Sequence, residues 1–202
     1  MSKIKLIFNG KYSGDENTLP QREHPEEFKM FKEPDSKKFM LIANGVSLGV
    51  TVLFLVIVGA MSGKYLIADL EAGKPWLIFL GALLPSLFII PHELIHAICM
   101  KETVYMYSYF QAGAMFVLSL EDMTKTRFVL MSLAPNILFG FVPFLVALIF
   151  PQLYWLGLFG ALSIGAGAGD YINVFNALTQ VPKGAKIYSS GFHSYWYQPK
   201  AD

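Results

Sequence analysis

Residues 75–98 read PWLIFLGALLPSLFIIPHELIHAI. The stretch meets the roughly 20 residues that a helix needs to cross the hydrocarbon core of a bilayer, yet it closes on His92, Glu93 and His96. Three further apolar segments can be drawn, at 39–61, 128–150 and 153–178. Together with 75–98 they predict an all-α membrane protein of four transmembrane helices, with a small β-hairpin between the second and third. Charged groups at the centre of a membrane helix cost on the order of 2.5 to 3.5 kcal/mol each, so those that persist there usually have work to do. The four segments contain only His92, Glu93, His96 and Asp170 as Asp, Glu, Lys, Arg or His.

Composition points the same way. Of 202 residues, 54% are hydrophobic and 15% charged, and the mean hydropathy is +0.45. A soluble domain carries about 25% charged residues, so a water-surrounded globule and a disordered chain are both disfavoured. The net charge of +1 offers no basic face for nucleic acid. A single cysteine, Cys99, excludes an intrachain disulfide.

Three regions follow. Residues 1–38 form a polar arm with eight Lys or Arg, read as solvated, with a short strand at Lys3 to Phe8. Residues 39–178 hold the four spans, with a hairpin over 103–120 where Tyr105, Tyr107 and Tyr109 alternate along the chain. Residues 179–202 form an aromatic tail that includes His193, for which packing or an interfacial role is expected. Lys and Arg number fourteen on the side of the arm, the 99–127 loop and the tail, against two on the other. The positive-inside rule then predicts a multi-pass cell-membrane protein with both termini cytoplasmic, and Trp76, Tyr154 and Trp155 at the outer interface. In the fourth span, Gly157, Ala161, Gly165 and Gly169 recur every four residues and predict close packing against a neighbouring helix.

His92-Glu93-Leu94-Ile95-His96 is an H-E-x-x-H sequence. Residues four apart share a helix face, so both imidazoles can reach one Zn²⁺ while Glu93 stands beside them as a general base. An open catalytic zinc site takes three protein ligands. Asp170 is the candidate for the third, because it lies as far along its inward-running span as His92 does along its own. Asn136 falls at a similar level and either links helices or orients substrate. Asn173, one turn beyond Asp170, is a candidate partner for the ligands. The string Gly45-Val46-Ser47-Leu48-Gly49 matches G-x-S-x-G but lies inside a continuous apolar helix, so it reads as coincidence.

With these residues in membrane helices, the chain resembles site-2-protease-like intramembrane zinc metallopeptidases. More narrowly, Gly169-Asp170-Tyr171-Ile172-Asn173, followed by Gln180-Val181-Pro182-Lys183-Gly184-Ala185, resembles a family of small bacterial membrane proteins described as zincin peptidases. The broader resemblance implies His92, His96 and Asp170 on zinc, Glu93 as base, and a peptide bond in a membrane-embedded or membrane-proximal substrate as target. Asp170 is followed by Tyr171 where that broader family commonly has Leu-Asp-Gly, and its Gly-Pro-x-x-Asn pattern is represented only by Ala134-Pro135-Asn136. The competing expectation is a metal-binding membrane scaffold or metal carrier without catalysis.

Overall fold

The computed structural model describes residues 5–25, 27–34 and 36–199. Lys3 and Ile4 of the expected first strand lie outside them. In chain order the elements are β1 (Lys5–Lys11), β2 (Lys29–Met30), α1 (Ser36–Glu71), α2 (Trp76–Leu87), α3 (Ile89–Cys99), β3 (Thr103–Tyr109), β4 (Ala114–Leu118) and β5 (Met123–Thr124). There follow α4 (Lys125–Pro135), a π-helical turn (Asn136–Phe141), α5 (Val142–Ile149), α6 (Tyr154–Ala166), α7 (Ala168–Gln180), β6 (Lys186–Ser190) and β7 (His193–Tyr197). The chain divides into two compact units, one of Met1–Glu33, Glu93–Leu133 and Asn173–Asp202, the other of Pro34–His92 and Ala134–Ile172.

The expectation of an all-α protein with four spans is overturned. Among the described residues two helices, Lys38–Glu71 and Lys125–Ile149, are long and apolar enough to cross a membrane, or three spans if the bent pair α2 and α3 counts as one. The break in 75–98 follows from proline. Pro91 has no N–H to offer the carbonyl four residues back and its ring crowds it, and the helix bends by 42° between Leu87 and Ile89. The apolar run 153–178 is interrupted at Gly167, leaving two helices of 13 residues. Each is about 20 Å long at 1.5 Å per residue, short of the ~30 Å hydrocarbon core.

The remaining departure is the β structure. In the first unit, β3 and β4 pair antiparallel, and β1 joins β3 in parallel with Lys5 opposite Thr103. A second sheet has the order β2-β7-β6-β5. The arm is therefore not simply solvated, for Tyr12, Leu19 and Phe31 are buried. Phe31 packs with Ala97, Val104, Phe128, Ala177 and Ile187 in the main core of this unit. His193 directs Nδ1 at Glu33 Oε2 across 3.3 Å.

The second unit is helical. Its core gathers Val58, Phe144, Tyr154 and Ile164. Tyr154, expected at an interface, is wholly buried, because close helix packing encloses its ring. A Cβ on Gly157 would come within 3.0 Å of Val58, and one on Gly165 would overlap Thr51 Oγ1, so these glycines admit α1 onto α6. Gly169, past the break, meets nothing within 4 Å.

Candidate metal centre

Helix α3 carries His92, Glu93 and His96, and one ligand atom from each lies within 4.8 Å of the others. Glu93 and His96 are buried at 9% and 7% exposure, whereas His92 is half-buried. A helix places residues i and i+4 on one face, and here that face carries two imidazoles with a carboxylate alongside.

His96 has its orientation set by α4. Its Nδ1 lies 2.9 Å from the backbone oxygen of Met131. A carbonyl can only accept, so Nδ1 carries the proton and Nε2 keeps its lone pair for a metal. The carbonyl is available for a reason visible in the chain. Four residues on stands Pro135, inside the helix and without an N–H, so Met131 has no partner at its normal helical position.

His92 faces α7, with its Nε2 3.4 Å from Asp170 Oδ2. The same carboxylate oxygen accepts from Asn136 Nδ2 at 2.7 Å. Asn136 opens the π-helical turn and is 1% exposed. Its Oδ1 faces the Tyr171 hydroxyl at 3.4 Å, and that hydroxyl donates at 2.8 Å to the Ile164 carbonyl at the end of α6. The break between α6 and α7 is thereby given a side-chain partner for a carbonyl it disturbs. A Cβ on residue 167 would overlap Asn136 Oδ1, so Gly167 makes the room in which Asn136 reaches Asp170.

The structure thus brings His92, Glu93 and His96 together along one helix and sets Asp170 and Asn136 beside His92. Asn173, half-buried one turn past Asp170, makes no side-chain hydrogen bond among the described residues. Three contributors escape a reading of the sequence: the Met131 carbonyl, Gly167 and Tyr171. Pro135 next to Asn136, and the glycine run ahead of Asp170, are the signals that could have found them.

The family described as "Putative zincin peptidase" matches residues 86–186, half of the chain, including the H-E-x-x-H motif and Asp170. This chain belongs to that family. No curated protein and no solved structure matches it. Zinc is the metal that membership in the zincin peptidase family implies, and the donor set suits it. Two imidazoles and a carboxylate are ordinary zinc ligands.

Proposed function

We propose that this zincin peptidase family member is a membrane metallopeptidase that hydrolyses a peptide bond in a membrane-embedded or membrane-proximal substrate. His92, His96 and Asp170 hold the zinc in this reading, and Glu93 is the general base. The observation that carries it is the 3.4 Å approach of Asp170 to His92, the first histidine of the H-E-x-x-H group, whose three side chains offer ligand atoms within 4.8 Å of one another. The membrane setting draws support from the two helices long and apolar enough to cross a bilayer.

The chemistry such an ion supplies is polarisation of the scissile carbonyl and a lowered pKa for water. Glu93 takes the proton of the attacking water and passes it to the leaving amide nitrogen as the C–N bond breaks. His96 presents Nε2 because Met131 holds its Nδ1. Asn136 fixes the carboxylate of Asp170 from one side.

The test is cleavage of a membrane peptide by the purified protein in detergent, alongside Glu93→Gln, with bound zinc measured in both. Loss of cleavage with zinc retained is the expected result. Zinc binding without turnover in the unsubstituted protein would favour the scaffold or carrier, and equal cleavage by Glu93→Gln would remove Glu93 from its role.

A further inference from the structure

Outside the ligand set, one buried charged cluster lies at the end of the motif helix. Glu121 has 2% of its side chain exposed. Its Oε2 accepts from the backbone N–H groups of Lys101 at 2.9 Å and Glu102 at 3.1 Å, just beyond α3. Its Oε1 meets Arg127 Nη2 at 2.6 Å. Arg127, in the first turn of α4, also donates through Nε and Nη2 to the carbonyl of Cys99, the last residue of α3, at 3.2 and 2.9 Å. A guanidinium forked onto a terminal carbonyl caps the helix and opposes the negative end of its dipole.

The spacing gives this cap a second consequence. Arg127 and Met131 are four apart on α4, and their partners, Cys99 and His96, are three apart on α3. Residues at these separations share a helix face, so α4 grips one face of α3 at two levels. One grip is the Arg127 fork, the other the hydrogen bond that sets the His96 tautomer. Sliding α3 by one residue would move His96 Nδ1 by about 1.5 Å along the axis and break that bond.

We propose that Arg127, held by the buried Glu121, is a positioning residue for the metal ligand His96, fixing the register of α3 against α4 so that Nδ1 stays on Met131. The inference rests on the metal-site reading above. A buried ion pair adds little net stability over an apolar replacement, and register is what this one supplies.

The test is Co²⁺ titration of the full-length protein in detergent, read by the visible ligand-field bands, for Arg127→Lys and for Arg22→Lys. Arg22 lies in the same unit and holds the same segment through the Leu120 carbonyl at 3.3 Å and Asp122 at 2.9 Å, with no hydrogen bond to Glu121 or Cys99 among the described residues, so it controls for loosening of that segment without loss of the fork. Arg127→Lys keeps the charge and loses the fork; it should weaken Co²⁺ about tenfold, as outer partners of ligands do, and alter the bands, while Arg22→Lys leaves both unchanged. Should Arg127→Lys fail to fold, Glu121→Gln, which keeps an acceptor for the two backbone N–H groups, is read the same way and should shift affinity in the same direction. Unchanged affinity and bands in the folded variant, or equal weakening by Arg22→Lys, would overturn the positioning role. Failure of the unsubstituted protein to bind Co²⁺ would overturn the metal-site reading itself, and this role with it.

Discussion

Asn136 Nδ2 donates to Asp170 Oδ2 across 2.7 Å, and that oxygen is the one facing His92. The relationship makes Asn136 a holder of the carboxylate. The bond ties the π-helical turn to α7 through a single carboxylate oxygen.

Asn136→Ala should lower zinc affinity by about 10- to 100-fold, because the Asp170 carboxylate loses a donor that orients it. Stability should fall by roughly 1–3 kcal/mol, since the substitution strips a partner from a shielded polar group. Competition with a chromophoric chelator measures the first and thermal unfolding the second. Undiminished affinity would argue that Asp170 needs no such support.

Two glycines two residues apart should behave oppositely. Gly167→Ala drives a methyl into Asn136 Oδ1 and should cost about 1–3 kcal/mol, as overpacking of close-packed sites does, together with metal affinity. Gly169→Ala meets nothing within 4 Å and should stay within about 0.5 kcal/mol of the unsubstituted protein. Parallel melting curves decide this, and equal losses at both positions would refute the account of the break.

Pro135→Ala restores an N–H that competes with His96 for the Met131 carbonyl. Helix stability should hold or rise, since proline inside a helix costs about 3 kcal/mol, while zinc affinity falls about tenfold through the loosened imidazole. Stability and affinity moving in opposite directions is the signature; a joint fall would contradict it.

Tyr188 supplies a pH dependence in the first unit. It is 1% exposed, its hydroxyl has no hydrogen-bond partner among the described residues, and burial pushes its pKa up to about 12. A phenol that stays protonated in the fold but ionises near 10 when unfolded contributes stability that is complete below about pH 10. Between 10 and 12 the unfolded chain binds fewer protons than the native one, so stability falls as pH rises. Tyr188→Phe should flatten that alkaline loss in denaturant titrations at pH 9 and pH 11, and an unchanged slope would contradict the assignment.

Part of this arrangement is legible in the amino-acid sequence alone. The H-E-x-x-H spacing needs only a helix to bring two imidazoles and a carboxylate together, and a helix is local. Apolar length gave a fair account of 39–61, which falls within Lys38–Glu71, and of 128–150, which Lys125–Ile149 covers in all but its last residue. It missed the 42° bend in 75–98 and the break in 153–178, because a count of apolar residues does not register where a continuous ladder is interrupted. In the first case the cause, Pro91, was in plain view. In the second it was not, since the break at Gly167 is matched by Tyr171 on the Ile164 carbonyl and by Asn136 lodged against the glycine.

The sheets were legible only in part. Alternating tyrosines mark β3, but nothing local in a polar arm announces that Lys5 pairs with Thr103 or Met30 with Tyr195. Strand pairing satisfies backbone groups between residues far apart in the chain, so a strand's own composition leaves its partner open.

By itself, then, the sequence determined the chemical types at the centre and the helix face that presents His92, Glu93 and His96, because spacing along one helix is a property of the chain. Only the tertiary structure decided that Asp170 Oδ2 stands 3.4 Å from His92, that Asn136 grips the same oxygen, and that Met131 selects the His96 tautomer. Each is a contact between segments at least 34 residues apart, set by where prolines and glycines break helices and by which side chains then meet the freed carbonyls.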